Sequence, residues 1–178
     1  MQEEKTYYGD NVVYLKMLTP EDYLKLENPI PSSVHCFPVK NDEILFTINP
    51  RGLDIIGGHI EKGETAESAM IREGMEEGCI EIKSMKLIGA IQVDNRDNPK
   101  AEALGYPKVG YQLFYAVDNF TMLPFVANFE CTDRKFVNKE DISKQHHKWL
   151  NVHDELLNSL NKIVSSTLVM TKPKKFKP

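Results

Sequence analysis

An α/β domain built on a mixed sheet covered on both faces is the architecture this sequence predicts, and three observations carry that reading. Short apolar runs with period-two alternation interleave with segments of helical periodicity. The clearest alternation lies over residues 109–117, where Val109, Tyr111, Leu113, Tyr115 and Val117 fall on one face. Near the end of the chain, Leu156, Leu157, Leu160, Ile163, Val164 and Leu168 form the apolar stripe of an amphipathic helix. Strands interleaved with two or three helices bury both faces of a sheet.

The elements follow in order. Residues 12–17 read as a strand. Thr19 then caps a short helix with Pro20 at its first position and Glu21 and Asp22 in its first turn, and Pro29 and Pro31 end that segment. The apolar runs 34–39 and 44–48, separated by Lys40-Asn41-Asp42-Glu43, read as a hairpin. Residues 51–63, with glycines at 52, 57, 58 and 63, read as a loop. A helix starts at Thr65 as its N-cap. Residues 80–93 carry strand signals, with Leu87, Ile91 and Val93 on one parity, and 94–108 form a long polar loop. After the 109–117 strand, Phe136-Val137 marks a short strand. The last helix starts at Asn151, with Asp154 three residues on as the partner in a capping box.

Composition narrows the class. With 178 residues, 41% hydrophobic and 27% charged, the chain fits one soluble globular domain over residues 1–170. Residues 171–178 carry four lysines and no acid, and read as a basic, disordered tail. The net charge is −4, so the body without those lysines is more acidic still and repels nucleic acid and polyphosphate unless a cation intervenes. Nucleic acid is therefore disfavoured as a partner. Cys36, Cys79 and Cys131 form no CxxC pair, which argues against a zinc site or a disulfide framework and fits a reducing cytoplasm. No apolar stretch of membrane-spanning length occurs, and no membrane partner is expected. A homodimer is left open.

The informative stretch is Gly57-Gly58-His59-Ile60-Glu61-Lys62-Gly63-Glu64 followed by Arg72-Glu73-Gly74-Met75-Glu76-Glu77-Gly78-Cys79. Glu73, Glu76 and Glu77 stand at i, i+3 and i+4, within an arc of roughly 100° on a helix. Like charges so placed repel by about 0.2–0.5 kcal/mol per pair. An isolated pair of glutamates is ordinarily a solvated face. Here Ala66, Ala69 and Met70 suggest that the first half of the helix is buried, and Ile71 and Met75 suggest cover on a second side. Arg72 reaches Glu76 across one turn but cannot neutralise three carboxylates. A hard divalent cation can, since Mg²⁺ takes oxygen ligands and keeps waters. Gly57-Gly58 lets a backbone carbonyl approach such an ion.

Gly58, five residues, Glu64, seven residues, Arg72-Glu73, two residues, then Glu76-Glu77 is the spacing of the Nudix box, here residues 58–80. The chain resembles the Nudix hydrolases. That resemblance implies a Nudix-like α/β/α sandwich and hydrolysis of a phosphoanhydride bond, in a nucleoside diphosphate linked to another moiety or in a nucleoside triphosphate. It implies Mg²⁺, or Mn²⁺, held by Glu73, Glu76, Glu77 and the Gly57 carbonyl. Glu73, Glu76 and Arg72 are the catalytic candidates, Arg72 by pairing with Glu64 to orient the helix; Gly58 and Glu64 are supporting residues. Three departures stand out. Gly74 replaces a large apolar residue, Ile56 replaces a proline, and Cys79 occupies the usual terminal glycine, so Gly78 is expected to be the left-handed helix cap.

A later acid often assists in this family; Glu130, Asp133 and Glu140 are candidates, with Glu130 preferred. Arg96 and Lys108 are candidates to hold a distal phosphate, and Tyr106 to stack on a base or sugar of a small nucleotide substrate. His146 and His147, before Trp149, are further candidates for phosphate contact. Two other functions share the fold: a non-catalytic nucleotide sensor, which retention of all three glutamates opposes, and an allylic diphosphate isomerase, for which the sequence places no acid–cysteine pair.

Overall fold

The computed structural model describes residues 2–127 and 130–170, with side chains through residue 163. The basic segment 171–178 and the side chains of Val164 and Leu168 lie outside the described residues. Nine strands and four helices follow in the order β1 (Glu4–Tyr8), β2 (Asn11–Leu18), α1 (Pro20–Leu24), β3 (Pro31–Lys40), β4 (Glu43–Asn49), β5 (Gly52–Asp54), β6 (Ile56–His59), α2 (Ala66–Glu76), β7 (Ile80–Asp94), β8 (Val109–Met122), β9 (Asp133–Asn138), α3 (Ile142–Gln145) and α4 (Asn151–Met170). Among the described residues, no helix is long and apolar enough to cross a membrane.

The sheet is mixed and curled. Its order is β1-β2-β7-β8-β3-β4-β5, with β6 added beside β3 and β9 beside β4. Among the described strand pairings β3–β8 is parallel and the others are antiparallel. β3 shares only Val39 and Lys40 with β4 before it turns away to pair with β6 and β8. The expected hairpin therefore exists, but it is a hinge between two parts of the sheet.

Each face has its own core. On one, Val152, Leu156 and Leu160 of α4 pack with Val13, Phe37, Ile91 and Phe114. On the other, Ala69 and Met70 of α2 and Tyr23 of α1 pack with Val34, Ile56 and the whole alternating face of β8 from Val109 to Val117. This gives the α/β/α layering. The parity expected along β7 breaks. Leu87 packs on the α2 side, whereas Ile91 and Val93 pack on the α4 side. A register shift between Leu87 and Gly89 exchanges the faces, as an extra residue in a period-two strand must.

Four further expectations are corrected. The glycine-rich stretch 51–63 is not all loop, because β5 and β6 lie within it. Ile71 and Met75 are 46% and 45% exposed, so α2 is covered on one side only. The left-handed residue after α2 is Cys79, with φ +46°, rather than Gly78. Gly78 is pinned instead by packing, since a Cβ there would lie 2.9 Å from Ile56 Cδ1. Arg134 donates to the carbonyls of Gly78, Cys79 and Leu123 at 2.7, 2.8 and 2.6 Å, and so stabilises the strained exit with a cation at the helix C-terminus.

The fourth correction concerns α4. Asp154 accepts from Trp149 Nε1 at 2.8 Å and does not close a capping box. Glu4 of β1 does the capping, accepting from the Val152 amide at 3.2 Å and from the Asn151 side chain at 3.1 Å. A carboxylate is suited to the positive end of the helix. Glu4→Ala is expected to cost about 1 kcal/mol, within the roughly 0.5–2 kcal/mol of a lost N-cap. Urea unfolding of the full chain checks this; an unchanged midpoint would remove Glu4 from the cap.

Candidate active site

α2 begins with a reciprocal cap. Thr65 Oγ1 accepts from the Ser68 amide at 3.1 Å, and Ser68 Oγ accepts from the Thr65 amide at 2.9 Å. This fixes where the helix starts, and so which residues face β6. Ala69 and Met70 anchor one face in the core. One turn later the same face presents Glu73, which is only 7% exposed.

Two glycines let β6 lie against that carboxylate. A Cβ on Gly58 would come within 2.4 Å of Glu73 Oε1, and one on Gly57 within 2.1 Å of the Val34 carbonyl. Gly57 also has φ +152°, which disfavours a side chain. Its amide donates to Glu77 Oε2 at 3.0 Å. The pair is thus required sterically, by the approach of β6 to both α2 and β3.

Arg72 organises the acids. Nε and one terminal nitrogen donate to the two Glu64 oxygens at 2.8 and 2.9 Å; that same terminal nitrogen also donates to the His59 carbonyl at 2.9 Å. The other donates to Glu73 at 2.7 Å and Glu76 at 3.1 Å. Bonding to Arg72 pulls the Glu64 carboxyl down to about 2. Glu73 is nevertheless raised, because burial outweighs its share of the guanidinium. Among the described residues, Glu77 makes no ion pair. Burial pushes it up to about 7, against the Gly57 amide, with Glu73, Asp54 and Glu130 adding repulsion. A hard divalent cation fits this donor set, because Glu73, Glu76 and Glu77 supply oxygen ligands and one guanidinium leaves their charge unbalanced.

These groups line a cleft of about 600 Å³ with Gly57, Gly58, His35, His59, Arg51, Asp54, Glu61 and Glu130 among its walls. The family model described as "NUDIX domain" matches residues 29–160. The chain belongs to the Nudix family. A NAD-capped RNA hydrolase, NudC, of Pseudomonas syringae pv. tomato is 33% identical over 86 residues, which is 46% of this chain and 30% of that protein. The chain thus spans less than a third of that relative. The Bacillus subtilis pyrophosphohydrolase BsRppH superposes with a TM-score of 0.65 at 28% identity, covering 93% of this chain and 98% of that one. The NUDIX domain of Shewanella oneidensis NrtR, solved with ADP ribose, shares the fold at 14% identity, with a TM-score of 0.56 over 83% and 99% of the two chains.

Around the Nudix box, several candidates fall in different places. Glu130 reaches the cleft wall; Asp133 and Glu140 are exposed residues that do not line it. Arg96 lies over the Tyr14 ring of β2 at 4.1 Å and is bound to Glu3, just before β1, and to Asp94 at the end of β7. Lys108 is exposed, and neither residue lines the cleft or the pocket beside it. Tyr106 does line that pocket.

His146 and His147 sit behind Asp54 rather than in the cleft. The ligand-capable atoms of Asp54, His146 and His147 lie within 4.8 Å of one another. The Lys148 amide donates to His146 Nδ1 at 3.1 Å, which places the ring proton on Nε2, 3.4 Å from Asp54 Oδ1. His147 Nδ1 faces the Leu53 carbonyl at 3.1 Å. His147, whose amide and Nδ1 both meet the Leu53 carbonyl, ties β5 to the segment before α4, whereas His146 Nε2 is buried with no hydrogen-bond partner among the described residues. Burial opposes ionisation of Asp54, but the neighbouring His146 and the bonds from Arg51 and Asn49 prevail and hold it well below the carboxylate range. Asp54, His35 and Gln112 are site residues that sequence reasoning missed. Asp54 had one local signal, its place three residues before the paired glycines; nothing local marks His35 or Gln112, which only the fold brings to the cleft.

Glu77 generates a pH prediction. Its folded value near 7 exceeds the ordinary 4.5, so the folded protein binds this proton more tightly than the unfolded chain. In EDTA, stability should therefore fall as pH rises from about 4.5 to 7, by on the order of 2 kcal/mol from this group. Glu77→Gln should remove that part of the slope and melt higher than wild type at pH 8. Thermal melts of both proteins across this range decide; parallel curves would show that Glu77 is not held in this way.

Proposed function

We propose that the chain is a Mg²⁺-dependent pyrophosphohydrolase of the cytosol, cleaving a phosphoanhydride bond in a nucleoside diphosphate linked to a second moiety or in a nucleoside triphosphate. The observation that carries this reading is the charge imbalance at the box. Glu73, Glu76 and Glu77 face one cleft, and Arg72 reaches only the first two. Similarity to BsRppH over nearly the whole of both chains supports the reaction class, and the NudC and NrtR likenesses favour a nucleotide as substrate.

Glu73, Glu76 and Glu77, with the Gly57 carbonyl, would hold Mg²⁺ or Mn²⁺. Such a cation, when bound, supplies neutralisation of the diphosphate oxygens and lowers the pKa of an associated water. The chain's own residues do the rest. A glutamate raised towards neutrality, as Glu73 and Glu77 both are, is suited to take a proton from the attacking water. Arg72 holds Glu73 and Glu76 at fixed positions, and Glu64 holds Arg72. Glu130, from the far wall, adds a carboxylate near the same space.

Two predictions follow from these roles. Glu77→Gln should lower kcat by about 100-fold or more, as loss of one group in a preorganised electrostatic site does, while far-UV dichroism stays unchanged. EDTA should abolish turnover of wild type and Mg²⁺ restore it; turnover that survives EDTA would exclude the assignment. Arg72→Ala should lower both activity and melting temperature, because it frees Glu64, Glu73 and Glu76 to repel one another. A loss of activity at constant melting temperature would make Arg72 a substrate contact instead. Chromatographic identification of products separates hydrolysis from isomerisation and from binding without turnover.

A further inference from the structure

We propose that Arg134 is a positioning residue for hydrolysis: by locking the exit of α2 to the strand that follows Glu130, its guanidinium fixes the box glutamates and Glu130 at one separation across the cleft. The proposal takes from the phosphoanhydride reading only that the cleft is where the reaction occurs.

The cleft is built by two parts of the sheet. Its box wall belongs to β6, which pairs with β3, and to α2, which packs on that side. Its opposite wall, with Arg51, Asp54 and Glu130, belongs to the part made of β4, β5 and β9. β3 and β4 share two residue pairs, so strand pairing joins the two parts through a narrow hinge. β9 pairs with β4 and, among the described residues, with no strand of the other part.

Glu130 depends on its neighbours for its place. Among the described residues no hydrogen bond or ion pair holds its side chain, so the chain on either side must. The Thr132 amide and hydroxyl both donate to the Ile48 carbonyl, at 2.8 and 3.1 Å, and tie the segment to β4. Cys131 is only 2% exposed, and its thiol is pushed up first by burial and then by the Glu77 carboxylate. Glu130 in turn is one of the charges that raise Glu77. The two walls therefore meet at Glu77, and their separation there matters to both carboxylates.

Arg134 closes the gap between the two parts. It stands on β9 opposite Thr47 of β4 and donates to the carbonyls of Gly78 and Cys79, the two residues after Glu77, at 2.7 and 2.8 Å. It also donates to the Leu123 carbonyl at 2.6 Å and lies 5.5 Å from the Phe125 ring. The far side is knit together: the Leu123 amide donates to the Cys79 carbonyl at 2.9 Å, and the Val126 amide to Cys79 Sγ at 3.5 Å. A helix C-terminus gains from any nearby cation. A fork planted in the other part of the sheet and spread over three carbonyls does more, because charge-assisted bonds from a planar group fix direction as well as distance. A misplacement of about 1 Å at reacting groups is enough to lower a rate by about a hundredfold, so such a lock bears on turnover and not on stability alone.

Two measurements on the full chain test this. The first needs no substrate. In EDTA, the amides of Leu123 and Val126 should exchange with deuterium about tenfold faster in Arg134→Met than in wild type, while Ala69 and Met70 keep their protection, as local opening at the lock predicts. Equal exchange overturns the proposal whatever the cleft does. The second is a double-mutant cycle on Mg²⁺-dependent hydrolysis. Arg134→Met and Glu130→Gln should each lower kcat by about tenfold with KM within about twofold, and the two together also by about tenfold, because a misplaced Glu130 and a neutral one are lost in the same way. Losses that multiply to about a hundredfold would make Arg134 structural only and overturn the proposal, as would a wild-type rate in Glu130→Gln. Arg134→Lys keeps a cation at the helix end without the fork; it should lose about threefold, again only where Glu130 is present, and it carries both measurements if Arg134→Met does not fold. Should wild type hydrolyse no phosphoanhydride while the exchange result holds, the reading of the cleft fails and the lock between its walls stands.

Discussion

The guanidinium of Arg72 is the constraint on which the site depends. Its fork ties Glu64, the carbonyl of His59, Glu73 and Glu76 together, and so joins β6, the turn before α2 and α2 itself. A lysine could reach one or two of these groups but not all four, because its donors share one nitrogen. Burial, together with the division of that single charge, sets the electrostatics. Glu64 takes the bidentate share and is held low; Glu73 takes a single bond and stays raised; Glu77 takes none and rises to about 7. The carboxylates thus hold graded proton affinities although they are chemically identical, and the gradient arises from geometry alone.

The sheet explains why two unlike spaces, the acidic cleft and the uncharged pocket beside it, share walls. β3 leaves β4 after two residue pairs and lies between β6 and β8. That path sets Ser33 and His35 of β3 beside Gly57 and His59 of β6 and Gln112 of β8. The acidic cleft forms where α2 covers β6, and the neutral pocket forms where the 94–108 loop folds back over β8. One short strand, β6, therefore contributes the glycines to one space and the imidazole of His59 to both.

What was legible in the sequence was local. The i, i+3, i+4 glutamates, the Thr65 cap and the alternating face of β8 each depend on spacing within one element, and each stands where periodicity places it. What was not legible depends on residues far apart in the chain. β1 has only five residues, and its Glu4 caps a helix some 147 positions away. Arg96, a candidate phosphate ligand on charge alone, is consumed by Glu3, 93 positions distant. The same holds for Asp54, whose histidine partners lie beyond residue 145. Short strands inside a glycine-rich stretch escape periodicity because three or four residues contain too few alternations to count. That one arginine cannot serve three crowded acids was legible; which of them it leaves unserved is a matter of rotamers.

The departures from the usual box illustrate how such a site tolerates change. Gly74 costs α2 roughly 1 kcal/mol in helix propensity, yet a Cβ there would stand 2.8 Å from Ile82 Cδ1, so the small residue lets the helix lie close over β7. Cys79 adopts the left-handed turn that glycine would take more cheaply, at a cost of about 1–2 kcal/mol. The clamp from Arg134 to the carbonyls of residues 78 and 79 offsets that cost from a different strand. The first acts on the face of α2 turned to β7, and the second acts one to two residues beyond Glu77, at the end that carries Glu76 and Glu77. The helix axis and the phase of Glu73, Glu76 and Glu77 about it are therefore fixed by Thr65, Met70 and Arg72, all of which are present. Backbone strain at the exit begins only after Glu77 and is clamped by Arg134, so the substitutions change how α2 ends without changing what it presents.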